Sequence, residues 1–235
     1  MAQEIGSFEN LPPRLGRLLS EPLLPLSLGI DPSSLSAYRQ KPFGDSLVDL
    51  TALYNQLSPS ILRLLVVESL PEQKRKLIGS GSAVAIDPRT LVTNCHIVMK
   101  NDYLVFARDT RGKNHPVHIQ AQDRGTDRCV YKAKADIFEP VKNFRHVDTL
   151  KIGERVFSIG NPKGFENIIT EGLLAGVKTK AERKVLLTSA NIAKGSSGGA
   201  LFDYAGNLIG ITTGIVNDAE YLGITIPISD FLQLR

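Results

Sequence analysis

Gly195-Ser196-Ser197-Gly198-Gly199 is a run of small residues that sets a hydroxyl between glycines. By composition alone such a tract reads as linker. Its setting, between an apolar strand and Ala200-Leu201-Phe202, reads against that. A serine hydroxyl is a weak nucleophile until a base takes its proton during attack. The developing oxyanion also needs two backbone N–H groups aimed at it. Gly195, two positions before Ser197, allows a turn that offers its N–H beside that of Ser197. Gly198 and Gly199 leave room for close backbone approach.

A base and an orienting carboxylate are legible upstream. His96 follows Leu91-Val92-Thr93-Asn94, a strand leading into a short turn, and precedes Ile97-Val98. His115, His118 and His146 lie in polar stretches without such a setting. Asp127 precedes Arg128-Cys129-Val130-Tyr131-Lys132, which reads as a strand. A buried carboxylate there would fix the imidazole tautomer and stabilise the imidazolium. Asp123 competes for this role but is expected in the preceding turn. The candidate catalytic set is His96, Asp127 and Ser197, with Gly195 and Ser197 as oxyanion donors.

Composition narrows the alternatives. A net charge of +4 and the short mixed run Glu72-Gln73-Lys74-Arg75-Lys76 read as solvated surface, not as a nucleic-acid interface. No stretch of about 20 uninterrupted apolar residues predicts a membrane span. The first apolar stretch, Leu18 to Ile30, is broken by Glu21, Pro22 and Pro25 and does not read as an export signal. The 2 cysteines, Cys95 and Cys129, are too few for a zinc site. They read as reduced thiols in a reducing, cytoplasmic compartment, with a bridge between them as the open alternative. No metal or cofactor is expected.

The chain divides unevenly. Residues 1–45 form a Pro/Leu-rich arm, expected to pack on the rest of the chain or on a partner. Leu47, Leu50, Leu53, Tyr54 and Leu57 predict a helix over 46–57, started by Ser46 and Asp49 and stopped by Ser58-Pro59. Thereafter short strands alternate with turn residues: 61–67, 76–87, 103–107, 115–121, 128–135, 155–159, 168–177, 185–188, 200–202, 208–213 and 221–226. That spacing predicts an all-β sandwich or barrels. The polar segment 136–152 is the expected link between two halves, and no internal repeat is visible.

The ordered motifs carry a resemblance. Gly79-Ser80-Gly81, Leu91 to His96, Thr126-Asp127 with Lys132, Gly160-Asn161-Pro162-Lys163-Gly164, Gly195 to Leu201 and Asn207 to Ile211 run in the order of the HtrA (Deg) family of trypsin-fold serine proteases. The chain resembles that family over residues 46–235. The order His, Asp, Ser is also that of the chymotrypsin arrangement. The resemblance implies two six-stranded antiparallel β-barrels, about 60–140 and 153–230, with the triad in the cleft between them. It also implies ATP-independent cleavage of protein or peptide substrates. Ser196, Ala200, Cys95 and Arg128 depart from the residues usual in the family, and no PDZ module is expected after the last strand. The oligomeric state stays open.

The resemblance further implies a specificity pocket. Asn191, six before Ser197, would lie at its base. Lys194 would stand at its mouth, and Thr212-Thr213-Gly214 would form a wall and an edge for a substrate strand. A neutral base predicts preference for small or medium aliphatic residues, with Asp218 and Glu220 as the charges that could favour a basic one. Ser196 offers no charge to a newly cut N-terminus, so activation is expected without such a cut. Two other readings are a silent protease-fold binding protein and a protease inhibited by its own arm.

Overall fold

A computed structural model describes residues 48–99, 102–180, 183–216 and 219–234. The arm over 1–45 and the expected helix start at Ser46 lie outside these residues. Helix α1 (Leu50–Leu57) is capped by Asp49, whose side chain accepts from Thr51 N at 2.9 Å. Ser58-Pro59 turns the chain into β1 (Ile61–Ser69).

Twelve strands close into two barrels. The first holds β1, β2 (Arg75–Asp87), β3 (Thr90–Thr93), β4 (Leu104–Arg108), β5 (Asn114–Asp123) and β6 (Arg128–Lys132). The second holds β7 (Arg155–Gly160), β8 (Ile168–Lys180), β9 (Arg183–Thr188), β10 (Ala200–Asp203), β11 (Leu208–Val216) and β12 (Ala219–Pro227). The neighbour orders are β1-β2-β3-β6-β5-β4 and β10-β11-β12-β9-β8-β7, and all the strand pairs are antiparallel. Both barrels therefore share one topology, although their sequences show no repeat. The fold matches the expected all-β double barrel.

Strand alternation sends successive side chains to opposite faces. In β2, Ala83 and Ala85 join the barrel 1 interior with Leu62, Leu64 and Leu91. Val84 and Ile86 join a second cluster, which also takes Phe157, Ile159, Phe202, Ile211 and Ile226 from barrel 2. Leu201 and Ile209 face the barrel 2 interior instead. Strands that serve both an interior and the shared cluster are buried on both faces, so their sequences read as continuous apolar runs. Phe157 and Phe202 stack across β7 and β10 with ring centroids 5.4 Å apart. The C-terminal helix α2 (Ile228–Leu232) adds Ile228 and Phe231 to the shared cluster.

The link over 136–152 is bound at both ends. Ile137 N and Phe138 N donate to Pro88 O, and Val141 N donates to Ala85 O. Leu208 N donates to Asn143 O, and Arg145 N donates to Leu208 O. Buried Arg145 also donates to Glu154 and Asp203. Among the described residues no helix is long and apolar enough to cross a membrane.

Two features correct the sequence reading. Cys95 and Cys129 are not reduced thiols: they form a disulfide. The reason is register, because Thr93 of β3 pairs with Cys129 of β6 and the Cα atoms of the two cysteines stand 5.0 Å apart. Strand β6 stops at Lys132 rather than at residue 135, where Ala133 N turns to Arg89 O.

Arg128 is almost wholly buried at the start of β6. Its Nε donates to Thr126 Oγ1 at 2.7 Å, Nη2 to Asp123 Oδ2 at 2.8 Å, and Nη1 to Asp230 O in α2 at 2.5 Å. It thus ties the β5–β6 turn to the end of barrel 2. Burial opposes ionisation of Asp123, but bonds from Thr126 and Arg128 outweigh it and hold the carboxyl below its ordinary range. Burial pushes the Asp230 carboxyl the other way, up.

Reducing the bridge, or replacing both cysteines by serine, should lower stability by about 2–4 kcal/mol. Urea unfolding with and without dithiothreitol checks this, and identical midpoints would mean that no bridge had formed. Arg128→Leu should cost about 1–3 kcal/mol near neutral pH, since it strands a partly buried carboxylate. A depressed carboxyl contributes stability above its unfolded value that is lost as pH falls through its folded one. The gap between wild type and Arg128→Leu should therefore shrink in acid. A gap independent of pH would sink that account.

Candidate active site

Strand β3 ends in buried Thr93 and Asn94, and a 3-10 turn over Cys95–Ile97 then carries His96. The imidazole is about a quarter exposed, with a side-chain relative area of 26%. Asp127 closes the β5–β6 turn with φ 59°, a left-handed geometry that aspartate adopts more readily than most residues. The turn is set by Thr126 N, which donates to Asp123 Oδ1 at 3.1 Å. Asp123 is therefore a turn residue, as expected, and Asp127 is the carboxylate that meets His96.

Asp127 accepts three hydrogen bonds. His96 N donates to Oδ1 at 2.8 Å, His96 Nδ1 lies 2.6 Å from Oδ2, and Thr213 Oγ1 donates to Oδ2 at 2.8 Å. A carboxylate acceptor assigns the proton to Nδ1 and leaves Nε2 with a free lone pair. The Asp127 carbonyl is held as well, by Asn94 Nδ2 at 3.2 Å and Cys95 N at 3.4 Å.

Thr213 joins this pair to Ser197, whose Oγ donates to Thr213 O at 3.1 Å. The strand register explains its position. Thr212 pairs with Thr225 and Gly214 with Ile224, so Thr213 is the extra residue of a β-bulge. A bulge re-aims a side chain, here onto Asp127. Ser197 Oγ is hydrogen-bonded to Thr213 O and makes no hydrogen bond to His96.

The turn over 193–199 needs its glycines. Gly195 has φ 96°, and a Cβ there would lie 2.7 Å from Lys163 N. Gly198 has φ 83°, and a Cβ there would lie 1.9 Å from Ser82 O. Asn94 Oδ1 accepts from Gly198 N at 2.7 Å, so one buried amide holds both the Asp127 carbonyl and the serine turn. Among the described residues, neither Gly195 N nor Ser197 N donates a hydrogen bond.

The expected pocket residues divide. Asn191 is exposed rather than at a buried base, and its carbonyl accepts from Thr170 Oγ1. Its neighbour Ile192 is the buried residue, with Cδ1 lying 2.4 Å from where a Cβ on Gly223 would stand. Lys194 is exposed and its carbonyl accepts from Lys163 N. Thr212 is fully buried and turned to the serine turn, not to an open wall: its Oγ1 donates to Ser196 O and its N to Gly199 O. Strand β10 pairs with β11 only as far as Ile211, and beyond it, among the described residues, β11 pairs with β12 alone, which leaves an edge over 214–216. Asp218 lies outside the described residues, as does the side chain of Glu220.

Sequence reasoning passed over Ser82, Asn94 and Asn161 as functional residues. The signal for Ser82 was its place after Gly79-Ser80-Gly81; the two asparagines stood inside quoted motifs. Among the described residues no group of three His, Cys, Asp or Glu could hold a metal.

Comparison with known proteins gives the family. The trypsin-like peptidase domain family matches residues 80–211, more than half of the chain. A probable periplasmic serine endoprotease of Chlamydia pneumoniae, DegP-like, is 31% identical over 170-odd residues, covering 70% of this chain and 34% of its own. A DegP-like counterpart from Halomonas elongata is 26% identical over 97% of this chain and 48% of its own length. The chain thus spans less than half the length of these curated relatives. Among solved structures, the HtrA-type protease AlgW with a decapeptide superposes with a TM-score of 0.70 at 26% identity, over 79% of this chain and 66% of that one. The periplasmic names and the disulfide both run against the cytoplasmic expectation. With its double barrel and its family match, this chain belongs to the trypsin-like peptidases, among the HtrA/DegP-like serine proteases.

Proposed function

We propose that this domain is a serine endopeptidase acting on protein or peptide chains. The observation that carries the reading is the bridge made by Thr213, which binds the His96-paired carboxylate through its hydroxyl and Ser197 through its carbonyl. Ser197 Oγ attacks the scissile carbonyl as His96 Nε2 takes its proton. The tetrahedral oxyanion is received by Gly195 N–H and Ser197 N–H. His96 then passes the proton to the leaving amine, the C–N bond breaks, and an acyl-enzyme remains. Water, deprotonated by His96, attacks the ester and releases the acid. Asp127 stays a carboxylate throughout and steadies the imidazolium.

The geometry of the turn favours turnover over a silent binding role, since a scaffold has no need of two unspent N–H groups. It also favours activity without an N-terminal cut. Ser196 is buried, its N donates to Ala193 O at 2.9 Å, and its carbonyl accepts from Thr212 Oγ1, so no carboxylate is required there. Inhibition by the arm concerns residues outside the description.

The substrate strand pairs with the edge over 214–216, which offers backbone groups for β-addition. Ile192 over Gly223, beside Ile215, gives the primary pocket an apolar lining without a carboxylate. The residue before the cut is therefore aliphatic, such as Val, Ala or Leu. A buried disulfide persists best in an oxidising compartment, which supports a site of action outside the cytoplasm.

Ser197→Ala should abolish hydrolysis with the fold intact, a loss on the order of 10⁴ to 10⁶ in rate. A fluorophosphonate probe should label wild type at Ser197 and leave the variant unlabelled. Absence of labelling in both the full chain and a chain lacking residues 1–44 would favour the silent reading, and labelling only in the shorter chain would favour inhibition by the arm. Cleavage of a peptide library should enrich aliphatic residues before the cut, and dominance of Arg or Lys there would refute the pocket assignment.

A further inference from the structure

The serine turn is a glycine-rich segment, and glycine by itself does not restrain its dihedrals. Within the turn Gly199 N donates to Ser196 O at 2.8 Å, and the remaining hold on its peptide planes comes from outside. Lys194 O accepts from Lys163 N at 2.9 Å, Gly195 O from Ser82 Oγ at 3.0 Å, Ser196 O from Thr212 Oγ1 at 2.7 Å, and Ser197 O from Ser82 N at 2.8 Å. In a trans peptide the N–H is opposed to the C=O of the same plane. Anchoring Ser196 O therefore turns Ser197 N–H the other way. Anchoring Lys194 O directs Gly195 N–H, and anchoring Gly195 O fixes the next plane, between the two donors, so that the Gly195 Cα is held on both sides.

Two of these anchors are hydroxyls on fully buried side chains, one from each barrel: Ser82 in β2 and Thr212 in β11. The Ser82 hydroxyl is saturated. It accepts from Asn161 N at 2.9 Å and Asn161 Nδ2 at 3.3 Å. Both lone pairs are then engaged, and the one hydroxyl proton is committed to Gly195 O. Asn161 is itself held, with Nδ2 on Leu62 O and Oδ1 accepting from Asn167 N.

We propose that Ser82 and Thr212 are positioning residues for the oxyanion hole: the Thr212 hydroxyl orients the peptide plane that presents Ser197 N–H, and the Ser82 hydroxyl fixes the Gly195–Ser196 plane that lies between the two donors. The proposal rests on the serine-peptidase reading. It makes the hole a product of barrel docking, since neither barrel holds the turn alone. Substrate in its ground state gains little from these two N–H groups, and the tetrahedral species gains most. The hydroxyls should therefore act on kcat and on transition-state affinity, not on substrate binding.

The test uses Ser82→Ala, the near-isosteric Thr212→Val, and Thr212→Ser as the variant that keeps the hydroxyl. Each is assayed with a chromogenic peptide amide and with a peptide boronic acid, a tetrahedral mimic. Removing an oxyanion donor outright costs about 10²- to 10³-fold, so misaiming one should cost about 10- to 100-fold. The expected result is a kcat loss of that size in Ser82→Ala and Thr212→Val with KM nearly unchanged. Boronate affinity should fall in parallel, and Thr212→Ser should recover near wild-type rates. Peptide affinity measured with Ser197→Ala added should not move. Unchanged kcat in both hydroxyl-free variants of an active enzyme would overturn the proposal, as would equal losses in substrate and boronate affinity. Wild type that neither hydrolyses peptide nor binds boronate would instead overturn the peptidase reading, and this proposal with it.

Discussion

The carboxylate of Asp127 is nearly buried, and burying such a group is costly unless hydrogen bonds compensate it. Three donors from both barrels meet that demand: the backbone and ring of His96 on one side, the hydroxyl of Thr213 on the other. Much of the local geometry follows. The chain enters a left-handed conformation at Asp127 to face His96, and β11 takes a bulge so that Thr213 can reach across. Each distortion costs something locally, and each is held by neighbours that are themselves buried. Asn94 and the Arg128 cluster hold the Asp127 turn from behind.

The shared apolar cluster supplies the second half of the explanation. Strands β2, β3 and β6 present one face to their own barrel and the other to β7, β10 and β11. The relative position of the barrels is then set by side-chain packing, which resists small displacements because protein interiors are close-packed. Hydrogen bonds such as Ser82 N to Ser197 O and Asn94 to Gly198 N cross the same boundary. Packing fixes the distance and polar groups fix the direction. The disulfide adds a covalent tie between the turn after β3 and strand β6, one residue before His96 and two residues after Asp127.

The strands, and the residues that meet at the candidate site, were legible because their signals are local. Alternation, turn residues and the spacing of glycines survive in one dimension, and the twelve strands fall close to where those signals put them. The pocket was less legible. Counting back from Ser197 reached Asn191, but which of Asn191 and Ile192 turns inward depends on a chain direction that counting does not contain. Thr212 was expected to face substrate, yet one extra residue in a register reverses which of two adjacent threonines faces the site. The cysteines are a third case, because a sequence separation of 34 hides a strand pairing that brings them together. The shared topology of the barrels is invisible for a related reason. Backbone pairing recurs, whereas the side chains differ according to which face meets the other barrel.

If the proposed function holds, specificity and catalysis share one short segment. Ile192, buried against Gly223, lies three residues before Gly195, and the intervening Ala193 and Lys194 carbonyls already hold the turn through Ser196 N and Lys163 N. A side chain that displaced Ile192 would therefore pull on the planes that aim the oxyanion donors. In this arrangement a poorly fitting residue is penalised twice, once by lost contact in the pocket and again by a misdirected N–H. Discrimination then appears in the rate of acylation more than in binding, as expected where the interactions that differ are those made to the transition state.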